Sequence, residues 1–353
     1  MASIIKTIAN KLNVSTASVS RALNDRPGLS EELRARILDE AQKFNYAPSA
    51  AARGLATSQS FAIGFFVRKK PGLSAHTDPF YGQILHGAEQ TLADSNYHLA
   101  IATLTDDVIT NPTSFRFTRE RRIDGMILAG PDIPNSFILM MMQTNIPVVL
   151  VDNQLEYSEA HIINGDDEKG AYQAAQHLLE LGHHHIGILS GPDHWPSNRD
   201  RVRGYQRALN EAGLPITVVH SDRTTIESGQ QALHQILEEA PQLTAICAVN
   251  DSVALGAIRA ARTIGRQVPE DLSVIGFDDI ELAGLNDPPL TTLRIPKQQM
   301  GAEAAARLIM LLKNPSLAPA NLTLAVQFIK RASSAPPPSS TSLDKGEHIE
   351  KLS

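Results

Sequence analysis

The sequence predicts a small all-α head followed by a larger α/β body of two doubly wound parallel-sheet lobes. Three observations carry that expectation. Within the first sixty residues, three short stretches show helical apolar spacing. From residue 61 onward, apolar runs of five to seven residues alternate with amphipathic stretches, the pattern of repeated β-α-β units. The length of 353 residues suits two or three domains, since one domain takes roughly 100–200.

Splitting the charge near residue 60 changes what the total implies. The whole chain is −6, which taken alone argues against a polyanionic partner. Residues 1–60 hold eight Lys/Arg against five acids, +3, and the remainder holds 24 against 33, −9. A basic head on an acidic body is the asymmetry expected when one part meets phosphate. The 42% hydrophobic content excludes wholesale disorder. One cysteine, Cys247, excludes an internal disulfide and a cysteine-rich zinc site.

In the head, Ile5, Ile8, Ala9 and Leu12 form one apolar helical face. Asn13-Val14 breaks the pattern, and Ser15 can cap a second helix starting near Thr16, with Val19 and Leu23 inward. After a loop at 24–28, Ser30 caps a third helix, with Glu31 and Glu32 at its positive end. Its expected buried stripe is Leu33, Ile37, Ala41 and Phe44. Three short helices with a tight turn between the first two make a helix-turn-helix unit, although a generic three-helix bundle fits the same spacing. The outer face from Thr16 to Ser20 is small and hydroxyl-rich, and Arg21 could reach a guanine or a phosphate.

VSTASVSRALND at 14–25 and YAPSAAARGL at 46–55 resemble the N-terminal signature of the lactose-repressor family of bacterial transcription regulators, with a resemblance running from about residue 3 to 332. It implies a helix-turn-helix domain over 1–48, a hinge helix and linker over 49–59, and a periplasmic-binding-protein-like effector-binding and dimerisation body over 60–332. Thr16, Ala17 and Arg21 would then read bases. Leu55 would be a wedge pushed between central base steps in the minor groove. The residues allow this independently, because Ala50, Ala51, Ala52 and Gly54 are small enough for two helices to pack closely, beside one apolar side chain. Gly54 costs a helix about 1 kcal/mol relative to Ala, fitting a segment that is helical only when bound. An ordinary alanine-rich linker is the alternative. The candidate DNA-contacting set is Ser15, Thr16, Ala17, Ser20, Arg21, Asn24, Ala52 and Leu55.

The body's strand candidates are 61–67, 98–102, 125–129, 147–151, 185–189, 244–249 and 272–277, with amphipathic helices such as 82–95, 168–182, 199–212, 228–239 and 252–264 between them. Ligands of doubly wound sheets sit beyond the carboxyl ends of the strands. That rule selects Asp78 to Tyr81, Asp106-Asp107, Asp152-Asn153, Ser190-Gly191-Pro192 leading to Trp195 and Arg201, Asn250-Asp251, and Asp278-Asp279. Acids and amides beside aromatic platforms suit a polyhydroxylated ring. Each has a plainer reading: acids and amides after strands cap helices, with Asp251 the even case, and Phe80, Tyr81 or Trp195 can simply pack or lie on the surface.

The resemblance sharpens some of these. Arg201-Val202-Arg203-Gly204-Tyr205 matches the family's effector-clamping arginine stretch, and Asn250, Asp251 and Asp278 fall in effector-contacting motifs. The candidate effector set is Phe80, Tyr81, Asp152, Trp195, Arg201, Asn250 and Asp278. Chain crossings between lobes are expected near 162–165, 290–294 and 315–322. Three departures stand out: a long first loop at 68–78, the lack of a regular helix over 106–124, and Arg294-Ile295-Pro296 where the family often carries H-Q-P.

No strand is followed by a nucleophile elbow, a phosphate loop or a dinucleotide fingerprint, so neither an enzyme nor a cofactor is expected. His183-His184-His185 cannot converge on one ion from a single helix or strand, so no metal is expected. The N-terminus lacks a signal-peptide core and no stretch reaches about 18 apolar residues, which points to the cytoplasm and nucleoid without a membrane partner. The expected partners are double-stranded operator DNA of approximately palindromic sequence, a second copy of the chain (a homodimer, or a higher oligomer), and a small effector between the lobes. A sugar or sugar derivative is favoured for that effector, with a nucleobase or nucleoside as the alternative. A sugar-binding protein without DNA function is disfavoured by the head and the missing export signal. Residues 333–353 are expected to form a disordered tail.

Overall fold

Ile8, Val19 and Ile37 are fully buried, and they meet because three helices place them on facing sides. The computed structural model describes residues 4–24, 26–46, 59–69, 77–155 and 159–338. The head comprises α1 (Ile4–Leu12), α2 (Thr16–Leu23) and α3 (Glu31–Lys43). Ser15 and Ser30 cap the second and third helices, accepting from the backbone N–H of Ser18 and Leu33 at 3.0 and 3.3 Å. Phe44 departs from the expected stripe: it is 39% exposed, because α3 ends at Lys43 and the next residue leaves the helical spacing. Its ring lies beneath the Lys11 ammonium, which also donates to buried Glu40. Ala22 is the buried partner of Val19, with Leu23 only partly covered.

In the first lobe, β1 (Ala62–Arg68), β2 (His98–Leu104), β3 (Gly125–Ala129), β4 (Val148–Val151), β5 (His161–Gly165) and β11 (Asn321–Leu324) form a parallel sheet ordered β11-β5-β4-β3-β1-β2. The second holds β6 (Ile186–Ser190), β7 (Thr217–His220), β8 (Ala245–Ala248) and β9 (Ser273–Ile275), parallel and ordered β7-β6-β8-β9. β3, β4, β6 and β8 are buried along their whole length, as sheets covered on both faces require. β10 (Thr292–Arg294) and β12 (Gln327–Ile329) pair antiparallel beside the second sheet.

Among the described residues, the chain passes between lobes after Gly165, after Arg294 and after Leu324. The third passage was expected at 315–322. It comes later because β11 still belongs to the first sheet. Over 106–124 the chain forms two short helices, Asp106–Thr110 and Arg116–Arg119, around a 3₁₀ turn, and no regular helix. Aromatic packing fixes this segment, with Phe115 buried against Phe66 at 5.0 Å and Phe137 at 6.0 Å between centroids. Most of the long first loop, residues 70–76, lies outside the described residues.

Each lobe contains a helix pair packed through glycine. Tyr81–Ala93 and Lys297–Lys313 approach so closely that a Cβ at Gly301 would overlap the Ile84 carbonyl, and one at Gly87 the Gln298 carbonyl. Ile226–Glu239 and Asp251–Thr263 meet the same way through Gly229 and Gly256.

Residues from Ser333 were expected to be disordered, yet the chain stays ordered there. Ser333 is fully buried: its hydroxyl donates to the Val274 carbonyl at 2.6 Å and accepts from Thr291 N at 2.8 Å. Ala335 N donates to the Ser273 hydroxyl, and buried His183 donates from Nε2 to the Ala335 carbonyl at 2.8 Å. Polar composition misled the sequence reading, because these serines satisfy backbone groups along the edge strand β9. His183 thereby has a structural role. The rest of the expected tail, residues 339–353, lies outside the described residues.

Replacing Gly301 by Val should destabilise the body by about 1–3 kcal/mol, as overpacking does. Thermal denaturation checks this, with Gly284→Ala as control, since a Cβ there meets only Arg331 Nη2 at 3.8 Å and relieves a helical glycine, so it should not lower the melting temperature.

Candidate functional site

The outward face of α2 presents Thr16, Ala17 and Arg21, all exposed, with Ser20 half-buried. Two other candidates define the ends of that helix. Ser15 caps its start, and Asn24 Nδ2 donates back to the Ser20 carbonyl at 2.7 Å at its end. Ala52 and Leu55, with the expected hinge helix, lie outside the described residues.

In the body, a cleft of about 360 Å³ opens between the carboxyl ends of the two sheets. From the first lobe it takes Phe80 and Tyr81 after β1, Asp132 after β3 and Asp152 after β4. From the second it takes Trp195 and Arg201 after β6, Asp222 to Thr225 after β7, Asn250 after β8 and Asp278 after β9. All seven sequence-selected effector candidates therefore line one cleft. Asp106 and Asp107 do not line it, because Asp106 turns to an ion pair with Arg68 at 3.1 Å. Asp251 neither caps nor lines: fully buried, it accepts from Thr292 Oγ1 at 2.5 Å and Ile280 N at 2.8 Å, while Asn250 does the capping.

Arg201 organises the floor. Its Nε donates to Asp167 at 2.7 Å, Nη1 donates to the Val249 carbonyl at 2.5 Å, and Nη2 lies 3.0 Å from Asp278 Oδ1. The guanidinium also stacks 4.0 Å from the Phe277 ring centroid. Both acidic partners are buried, so the charge of Arg201 is largely neutralised before any ligand arrives. The Nη2 contact leaves Asp278 Oδ1 without a well-aligned hydrogen bond. Across the cleft, the Tyr81 hydroxyl donates to Asp152 Oδ2 at 2.8 Å, and Phe80 meets Tyr81 edge-on at 5.1 Å.

The backbone is strained where these acids project. Asp152, Asp278 and Asp279 have φ of +52°, +107° and +53°, the left-handed region disfavoured for non-glycine residues. Burial, reinforced by the charge of Asp167, pushes the Asp152 carboxyl up to about 7. Burial likewise raises Asp167 to about 6, against the pull of Arg201, and raises Asp278.

Sequence reasoning missed Asp132 after β3, Asp167, Asn198 and the wall from Asp222 to Thr225. Asp167 follows β5 and Asp222 follows β7, strands it had not identified, so the strand-end rule could not be applied there. Asn198 carries no local signal beyond its nearness to Trp195.

Residues 4–49 match the lacI family of bacterial regulatory proteins, and residues 175–334 match a periplasmic binding protein-like domain. The HTH-type transcriptional repressor PurR of Photobacterium profundum is 32% identical over 304 residues, covering 85% of this chain and 89% of PurR. The chain belongs to the lacI family. It is a helix-turn-helix transcriptional regulator with a ligand-binding body. Among solved structures, the Lac repressor dimer bound to operator and the anti-inducer ONPF has a TM-score of 0.77 at 26% identity, over 93% of this chain and 98% of that one. The complex of the transcriptional regulator CelR with cellobiose has a TM-score of 0.71 at 26% identity, over 94% and 99%.

Two outcomes are expected of this lacI-family regulator. Arg21→Ala should weaken specific operator binding by about 1–3 kcal/mol while leaving the body's melting temperature unchanged, as read by fluorescence anisotropy and calorimetry. Asp152 is raised in the folded state, so its ionisation penalises folding increasingly as pH rises from the ordinary carboxylate range to about 7, then levels off. The melting-temperature advantage of Asp152→Asn over the unsubstituted chain should therefore grow between pH 5 and pH 7 and be flat above about 7.5. An advantage independent of pH would show that Asp152 titrates normally.

Proposed function

We propose that this regulator is a homodimeric, cytoplasmic repressor of approximately palindromic operators, without catalytic activity, and that its effector is a neutral sugar. The observation that carries the effector class is the saturated Arg201. Its two acidic partners leave no uncompensated positive charge on the floor for a carboxylate or phosphate. Asp132 and Asp222 bring further carboxylates to the same space, balanced there by Lys69 and Arg223, and Asp152 is held partly protonated near neutral pH. With the floor arginine already paired, the carboxylates and Asn250 are set to meet hydroxyl groups, and Phe80, Tyr81 and Trp195 offer apolar surface for ring faces. The likeness to CelR, solved with cellobiose, points the same way.

On this reading Asp278 Oδ1 and Asp152 accept from sugar hydroxyls, Asn250 and Arg201 set the floor, and α2 enters the major groove with Thr16, Ala17 and Arg21 towards base edges. Ser15, Ser20 and Asn24 hold that helix near the phosphates, and Ala52 and Leu55 reach the central minor groove. Dimerisation is supported by the apolar helix Glu281–Leu285, where Leu282 and Leu285 are 52% and 73% exposed, and by the likeness to the Lac repressor dimer. A single +3 head makes few phosphate contacts, and a second, tethered head raises effective concentration.

The test uses Trp195, the sole tryptophan, as reporter. The full chain is titrated with neutral mono- and disaccharides, uronates and nucleosides, following tryptophan fluorescence and operator occupancy together. A neutral sugar should change both, and Arg201→Ala or Asp278→Ala should abolish that response while operator binding persists. A response to nucleosides alone, or to uronates alone, would sink the neutral-sugar assignment.

A further inference from the structure

The head and body are joined by one stretch of chain, and the body's first described residues are held in an unusual way. Asp124, in the turn before β3, accepts from Ser60 N at 2.8 Å and Ser60 Oγ at 3.0 Å through Oδ1. Its Oδ2 accepts from Phe61 N at 2.8 Å. Asp124 N donates in turn to the Ala62 carbonyl at 2.8 Å, closing the contact from both sides. One carboxylate thus receives three hydrogen bonds from two consecutive residues immediately before β1. Starting a strand does not need this, because β1 is already paired along its length with β2 and β3.

Phe61 has φ of +54°, a left-handed conformation that an aromatic residue rarely adopts. Its carbonyl accepts from His98 N at 2.8 Å and its ring rests 5.9 Å from Tyr97. The clamp therefore fixes a sharp turn that the local sequence would not choose alone, and that turn sets the direction in which the chain leaves the body. β3 begins at Gly125, beside the clamp, and is buried throughout. Five residues later its carboxyl end runs into Gly130 and Asp132 at the cleft, about 16 Å away at 3.3 Å per residue.

We propose that Asp124 is a positioning residue for operator recognition: by holding Ser60 and Phe61 in this turn it aims the linker, and hence sets the separation of the two heads on DNA. The inference rests on the dimeric operator-binding reading above. Charge-assisted hydrogen bonds to a carboxylate are stronger than neutral ones, so removing it frees the turn to relax.

The experiment selects a duplex from a random pool with the unsubstituted full-length chain, then measures affinity for it and for versions with one base pair added or removed between half-sites. The unsubstituted chain should discriminate between spacings. Asp124→Ala should reduce that discrimination roughly threefold to tenfold, the range by which residues along a coupling route act. Non-specific DNA binding should stay unchanged, and the body should lose some melting temperature yet remain folded at the assay temperature, since part-buried donors lose their acceptor. Asp124→Asn, which keeps one acceptor oxygen, should fall between them.

Full spacing discrimination in a folded Asp124→Ala protein overturns the proposal. So does a loss matched by an equal loss of non-specific binding, which marks a merely structural role. An unsubstituted chain indifferent to spacing overturns the dimeric reading along with it, and that result is told apart because it needs no variant.

Discussion

One buried guanidinium holds the cleft together. Arg201 binds Asp167, which begins the first helix after the chain passes into the second lobe, and Asp278, which precedes the passage back. It also binds the carbonyl at the end of β8. Removing one partner from such a network leaves an uncompensated buried charge, typically at a cost of about 3–5 kcal/mol. The floor is thus an electrostatic knot, and the ends of several separate chain segments are placed relative to it.

The strained acids depend on that knot and on ions from the crossing segments. Asp279 receives Arg294 of β10 at 2.6 Å and Arg331, just beyond β12, at 2.7 Å. Burial opposes its charge, but these two arginines hold its carboxyl below the ordinary range. Lys297, buried at the start of the first-lobe helix Lys297–Lys313, donates to the carbonyls of both Asp278 and Asp279. The turn that presents Asp278 to the cleft is therefore tied to two of the segments that cross between the lobes. These contacts hold the two aspartates in a backbone region that would otherwise cost about 1–3 kcal/mol each.

Most of this was legible where burial writes a strong pattern. β1, β4, β6, β8 and β9 read as continuous apolar runs, so the residues after them could be assigned to a cleft from the sequence alone. β5 carries His161 and Asn164, and β7 is a short edge strand with an exposed His220, so neither stood out, and Asp167 and Asp222 were missed with them. Arg201 was placed correctly in the cleft, but its charge partners were not, because they come from segments 34 and 77 residues away in sequence. Ser333 to Ala335 misled by composition: serine usually marks exposed chain, yet here its hydroxyls complete a sheet edge.

That sheet edge constrains how the protein is made. β11, near residue 321, completes the first lobe's sheet, and residues 333–335 cover the last strand of the second. Synthesis runs from the N-terminus, so the head can fold as soon as it emerges, whereas both lobes wait for the same final stretch of chain. The two lobes look like separate units in space, but in time they are finished together.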